Sequence, residues 1–441
     1  MLRVSGGVWQ GDPALLDARP TNIVTDSRDA GEGSLFIALR GEHTDGHRYI
    51  PDVFRQGALA VLCAEEGAPG EPRLVVPDVM TAIRQIGAYS RDRLSIPFVG
   101  ITGSVGKTTA KEMVASVLSA RFSTYKTPGS LNGQIGLPVT LMAMAEDYEI
   151  AVVEMGVSMF GEMERLTKLV RPDHAVFTNI ADAHLEYFHD RPGIFSEKSR
   201  ITLGMPENGV VFANGDDELL SRADFGRRTV LFGLGENCQV RALNIARGEN
   251  AELKCRIAAD GRAFDVRVPA YGTYMIYSVL AAAAVGMEFG MTDAEIADGF
   301  LQYHTVGHRS RVIKTPYCTL IDDCYNANPT SNRAAIDSMV EFEGRKVCIL
   351  GDMREMGEQS PKVHREIGEY AVSRGVELIL THGSDAAYIA QAAGDKGIHF
   401  EDRQALRDAI PSLIHPGDVV LVKASHGPNF VDMVKIVEEL R

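Results

Sequence analysis

The sequence predicts an α/β fold in three domains: a small mixed α/β unit, a central unit on a largely parallel sheet, and a C-terminal Rossmann-like unit. Three observations point there. The chain has 441 residues, which at ordinary domain sizes means two to four domains. An apolar run over 96–102 enters a glycine-rich turn and is followed by a helical pattern over 107–120, the strand, turn and helix of a doubly wound sheet. From Cys318 onward, short apolar runs alternate with helical patterns and little decoration, as in repeated βα units.

The elements follow in order. Residues 1–82 alternate short strands at 22–25, 34–38, 60–63 and 73–76 with a helical stretch at 49–56. The central domain, 83–310, is entered by a helical pattern at 81–94. Strands at 96–102, 150–154, 175–179, 210–213 and 229–232 have helical segments between them. Residues 239–268 read as antiparallel strands, and helices at 275–289 and 293–302 close the domain. In the C-terminal domain, 311–441, strands are expected at 318–322, 345–350, 377–381, 399–401 and 418–423. Ligands in such sheets lie beyond the carboxyl ends of the strands, where Asp322-Asp323, Gly351-Asp352 and Lys423-Ala424-Ser425 fall.

Composition narrows the function. With 59 acids against 45 bases the formal charge is -14, so the averaged surface repels phosphate backbones and anionic lipid, and nucleic acid is not the expected partner. An anionic ligand must be held locally, by backbone amides, a few cations and divalent metal. The six cysteines contain no C-x-x-C pair, which speaks for a reducing compartment rather than a disulfide framework or zinc knuckle. The N-terminus lacks an apolar signal core. The longest apolar stretch, 277–287, is shorter than the roughly 20 residues that span a bilayer. A cytoplasmic protein without membrane insertion is expected.

The strongest chemical signal is Gly100-Ile101-Thr102-Gly103-Ser104-Val105-Gly106-Lys107-Thr108-Thr109, which reads as a phosphate loop. Small residues from Gly103 to Gly106 let successive N–H groups face phosphate oxygens, Lys107 adds a point charge, and Thr108 offers a hydroxyl to Mg²⁺ at the helix start, with Thr109 beside it. The spacing departs from G-x-x-x-x-G-K-[ST], because Ile101 stands five residues before Gly106. This loop makes the middle unit a P-loop ATPase domain. Glu154 and His184, beyond two later strands, are candidate ligands for Mg²⁺ or Mn²⁺.

GSVGKTT, VEMG, TNIADAHLE with a lysine fourteen residues after its histidine, and IDDCYNANPTS occur in one order, and over essentially its whole length the chain resembles the Mur ligases. Asp322 to Ser331 and Gly351 to Glu358 look most like the MurF-type branch. Thr25-Asp26-Ser27-Arg28 and Asp45-Gly46-His47 are similar to the UDP-substrate domain shared with the MurE type. The resemblance implies an ADP-forming amide ligase of cytoplasmic peptidoglycan precursor synthesis, and a monomer. It would use ATP and two Mg²⁺ ions to join D-Ala-D-Ala to a UDP-N-acetylmuramoyl-tripeptide through an acyl phosphate.

The same resemblance implies residue roles. Lys107, Glu154, His184, Lys198 and Arg309 are the expected catalytic set, with Thr108, Glu154, His184 and Lys198 around the metals and Lys198 matching a lysine carbamylated in several relatives. Arg309, Asp323, Tyr325 and Asn326 join the phosphate loop as nucleotide contacts, and domain closure excludes water from the acyl phosphate. Ser27, Arg28, Asp45, His47 and Asn132 are the substrate-contact candidates. Asn328 and Ser331 are expected to cap the following helix. Two departures bear on the roles. Gly272-Thr273-Tyr274-Met275-Ile276-Tyr277-Ser278 stands where the family has Gly-x-His-Asn-x-x-Asn, which leaves the adenine to Tyr274, Tyr277 or backbone. Asn132 remains where related chains carry paired asparagines. A MurE-type or folylpolyglutamate-synthetase-like ligase and an inactive nucleotide-binding homologue are the alternatives.

Overall fold

A computed structural model describes residues 1–41, 44–68, 70–248, 252–425 and 430–441. The N-terminal sheet has five strands: Ile23–Val24, Leu35–Ile37, Ala60–Cys63 and Arg73–Val75 run parallel, and Val8–Gln10 pairs antiparallel with Arg73–Val75. That edge strand escapes sequence reading because three residues around Trp9 are too few to show alternation.

Helix Val79–Asp92 runs across the expected boundary at residue 82. Asp78 caps it, accepting from Thr81 N at 2.7 Å. Its stripe of Val79, Ala82, Ile83 and Ile86 packs with Ile37, Leu62 and Leu74 of the first sheet, the i, i+3, i+4, i+7 face of an amphipathic helix. The same core takes in Val139 of helix Gly136–Ala143, so the helix packs between the first sheet and the central unit.

The central sheet has nine strands. Phe98–Thr102, buried throughout, lies between Ile150–Glu154 and His174–Phe177, all parallel. Continuous burial on both faces explains why these strands read as unbroken apolar runs. Helices Lys107–Ser119 and Ile276–Glu288 pack on one face, and a second core covers the other. The antiparallel strands Val240–Arg247, Leu253–Ala259 and Arg262–Val268 continue the same sheet. Thr124–Lys126, absent from the expected strands, forms the opposite edge.

The third sheet has six strands in the order Arg311–Lys314, Thr319–Asp322, Val419–Lys423, Lys346–Gly351, Leu378–His382, Gly397–Phe400. The first is antiparallel and was not expected; the rest are parallel. Because the last strand in sequence inserts beside the second, the carboxyl ends carrying Asp323 and Lys423 become neighbours, at the kind of crossover where doubly wound sheets bind ligands. Among the described residues no helix is long and apolar enough to cross a membrane.

Candidate functional site

The phosphate loop is built from two strand ends. Gly103 sits at φ 143°, and a Cβ there would overlap Thr178 Oγ1, so only glycine fits. The segment after strand His174–Phe177 buttresses the turn: Asn179 Oδ1 accepts from Val105 N at 2.9 Å, and Thr178 Oγ1 donates to Val105 O at 2.6 Å. Gly106, at φ 81°, starts the helix. Lys107 folds back on its own loop, donating to Gly103 O at 2.9 Å and Ser104 O at 3.2 Å. Burial lowers its pKa, Glu154 opposes that shift, and Arg309 adds to it. An ammonium held by two carbonyls of its own loop is poised to exchange them for phosphate oxygens.

Glu154 closes the neighbouring strand and is 2% exposed. Its two oxygens accept from Thr108 Oγ1 at 2.8 Å and Asn132 Nδ2 at 2.6 Å. Asn132, expected at the substrate, therefore has its amide engaged with Glu154. The loop that carries it is tied down by Lys111, whose fully buried ammonium donates to Thr127 O at 2.7 Å and Gly129 O at 2.8 Å. Lys111 was missed although the pattern holds a signal: a cation one turn beyond Lys107, on an otherwise apolar helix face.

Lys198 is also fully buried, and its Nζ has no hydrogen-bond partner among the described residues. Burial, then the Lys107 charge, holds its pKa well below the ordinary lysine value. An unpartnered buried amine is costly, and conversion to a carbamate would give it oxygens to bond. His184, half-buried at φ 54°, meets the Glu355 carboxylate of the C-terminal domain through Nδ1. The Thr108 hydroxyl and the Glu154 carboxylate are oxygen donors of the kind Mg²⁺ takes, and the His184 imidazole lines the same cavity.

The other wall is formed by Arg309 and Ser310, at the end of the central domain, and by the C-terminal domain. The Arg309 guanidinium lies 3.6 Å from the Tyr325 ring centroid, a cation–π stack. Asp323 accepts from Ser310 N at 2.9 Å and from Lys423 Nζ at 2.6 Å, and Lys423 also donates to Asn326 O at 3.0 Å. Tyr325 OH donates to Ser130 Oγ across the domain boundary. Asn328 and Ser331 form a capping box on helix Pro329–Met339.

One cavity of about 850 Å³ runs between these walls. Its lining includes Ser104 to Thr109, Asn132, Glu154, His184, Arg309, Asp323, Tyr325 and Asn326, together with Lys423 and Glu355. Lys198 is not part of this lining. Tyr274, Met275, Tyr277 and Ser278 line it as well; Tyr274 OH is engaged by Ser310 Oγ, so stacking is what that ring offers a base.

Ser27, Arg28, Asp45 and His47 sit in the N-terminal domain, outside the lining. Arg28 is exposed and paired with Asp26. His47 is buried with both ring nitrogens engaged, Nδ1 with Asp45 at 2.6 Å and Nε2 accepting from Ala64 N at 3.0 Å. The ring thus shapes its loop rather than offering a free nitrogen to substrate.

Three family models match the chain: Mur ligase family, catalytic domain, over 19–90; Mur ligase middle domain, over 101–286; and Mur ligase, glutamate ligase domain, over 308–426. The chain is similar to UDP-N-acetylmuramoyl-tripeptide--D-alanyl-D-alanine ligases. It is 34% identical to that of Escherichia coli (strain K12), covering 99% of this chain and 97% of the relative. Identity is also 34% to that of Bacillus subtilis (strain 168), covering 94% and 92%. Among solved structures, MurF from Acinetobacter baumannii superposes with a TM-score of 0.86 at 29% identity, covering 99% of this chain and 98% of that one. MurF ligase from Thermotoga maritima in complex with ADP gives 0.82 at 28% identity, covering 97% and 98%.

Proposed function

Since the chain belongs to the Mur ligase family, we propose that it is the ligase that joins D-alanyl-D-alanine to a UDP-N-acetylmuramoyl-tripeptide at the expense of ATP, acting as a cytoplasmic monomer. The observation that carries this reading is the single cavity in which the phosphate loop, Glu154 and His184 of the central domain face Arg309, Asp323, Tyr325 and Lys423.

The reaction has two steps. The terminal carboxylate of the tripeptide attacks the γ-phosphorus of ATP, forming an acyl phosphate and releasing ADP. The dipeptide amine then attacks the acyl carbon, the amide forms, and inorganic phosphate leaves with the electron pair of the broken C–O bond, while the amine gives up a proton. Lys107 and the loop amides, with Arg309 opposite, offset charge on the transferring phosphoryl group. Asp323, held by Lys423 and Ser310, would accept hydrogen bonds from the nucleotide. The two walls meeting over the cavity keep water from the acyl phosphate.

Thr108, Glu154 and His184 would hold Mg²⁺, which supplies charge neutralisation between phosphate and carboxylate. Lys198, as a carbamate, would complete the second site. The first domain, with Ser27, Arg28 and Asp45, would take the UDP moiety.

The test is phosphate release from ATP by the purified protein. Release that requires both the UDP-linked tripeptide and D-Ala-D-Ala, and is lost in Lys107→Ala with the fold retained, supports the assignment. Comparable turnover with a single amino acid as acceptor would move the chain to another branch, and undiminished amide formation by Lys107→Ala would sink it.

A further inference from the structure

One contact crosses the cavity mouth in an unusual conformation on both sides. His184 of the central domain has φ 54° and Glu355 of the C-terminal domain has φ 61°, left-handed values that residues with a Cβ seldom adopt. Such outliers persist where the surrounding structure holds them, and they gather at functional sites. These two residues meet each other. The Glu355 carboxylate bonds His184 Nδ1, and Glu186 N donates to Glu355 O at 3.4 Å beside it. The imidazole is also packed edge-on against Phe188, with centroids 6.3 Å apart. Both residues line the cavity that holds Lys107 and Glu154.

A carboxylate on one ring nitrogen of a histidine keeps the proton there. It leaves the other nitrogen as a lone pair, the arrangement by which outer groups orient metal-binding imidazoles. We propose that Glu355 is a positioning residue whose carboxylate, delivered by the C-terminal domain, holds His184 with Nε2 presented to the cavity as a metal ligand. The affinity of the central domain for its divalent ion then depends on a residue of another domain that does not itself ligate it. This rests on the ligase reading above, in which His184 holds metal.

The test is Mn²⁺ binding, followed by electron paramagnetic resonance in the presence of a β,γ-imido ATP analogue, with affinity for the analogue alone measured on the same samples. Glu355→Gln should weaken Mn²⁺ binding roughly 10–100-fold, the usual range for removing such an outer partner, and leave metal-free analogue binding unchanged. Glu358→Gln, which removes an exposed carboxylate three residues on in the same segment, should leave Mn²⁺ binding as it is. In a His184→Ala background, Glu355→Gln should add no further loss. A Glu355→Gln affinity within about two-fold of wild type, against the 10–100-fold expected, overturns the proposal. So does an equal loss in Glu358→Gln, or an undiminished effect of Glu355→Gln without His184. Wild-type protein that binds neither analogue nor Mn²⁺ would take the ligase reading down with it, whereas analogue binding without any Mn²⁺ binding overturns this proposal alone.

Discussion

Replacing Lys111 by methionine removes an ammonium and little else, because the two side chains have similar length and the site is fully buried. In the native protein Nζ donates to Thr127 O at 2.7 Å and Gly129 O at 2.8 Å, and lies 2.9 Å from Glu112 Oε1. Lys126 still pairs with Glu112 in the variant, so the carboxylate keeps one partner while two carbonyls lose theirs. Each hydrogen bond to a charged group contributes about 1.5–3 kcal/mol, and breaking a buried ion pair from one side costs about 3–5 kcal/mol. These terms overlap, so a loss of about 3–5 kcal/mol is expected, a drop of roughly 6–20 °C in the melting of the central domain. The damage should centre on the loop that holds Glu154, since Thr127 Oγ1 accepts from Glu154 N at 3.1 Å and Asn132 donates to its carboxylate. Differential scanning calorimetry reads the first effect, and hydrogen exchange over 127–132 reads the second. A melting shift under about 3 °C, less than half the smallest drop expected, together with unchanged exchange in that loop would refute the reasoning.

Lys198 gives a pH dependence with a definite sign. Its folded pKa lies well below the 10.5 of the unfolded chain, so between those values the unfolded state binds a proton that the folded state excludes. Stability should therefore rise with pH toward 10.5, by at most about 1.4 kcal/mol per pH unit from this group. Lys198→Met should flatten its share of the slope in melting curves taken between neutral and alkaline pH, and an unaltered slope would count against a neutral buried amine. Carbamylation of wild type would flatten the slope as well and add the mass of CO₂ to the intact protein. At the start of helix Pro329–Met339, Asn328 accepts from Ser331 N at 2.8 Å. Asn328→Ala should cost about 0.5–2 kcal/mol of C-terminal domain stability, and an unchanged unfolding midpoint would remove the capping role.

Local patterns carried much of the architecture. The strand at 96–102, the phosphate loop and the helix behind it were legible because buried parallel strands read as continuous apolar runs and a glycine-rich turn punctuates them. Strands Val8–Gln10, Thr124–Lys126 and Arg311–Lys314 were not, since three or four residues at a sheet edge carry no periodicity. The helix that crosses residue 82 shows a different limit. A helical pattern shows that one face is apolar, but which sheet receives that face is a matter of packing. In the site, Lys107, Thr108 and Glu154 could be named because strand ends and glycine turns mark where phosphate chemistry is done, whereas Arg309 was named through the family resemblance alone. Lys111 and Glu355 were passed over because a lone lysine in a helix and a glutamate in a loop look like solvated surface until their partners are known.

The sequence by itself determined the α/β class, the three-part organisation, the phosphate loop and the need for local cations against a formal charge of -14, because these depend on residue type and on order along the chain. Only the tertiary structure decided the pairings: Lys423 with Asp323, 100 residues apart, and His184 with Glu355, 171 apart. Insertion of the last strand beside Thr319–Asp322 sets the first, and apposition of two domains sets the second. Contacts so distant in sequence leave no periodic trace, since they arise from how sheets order their strands and how domains meet.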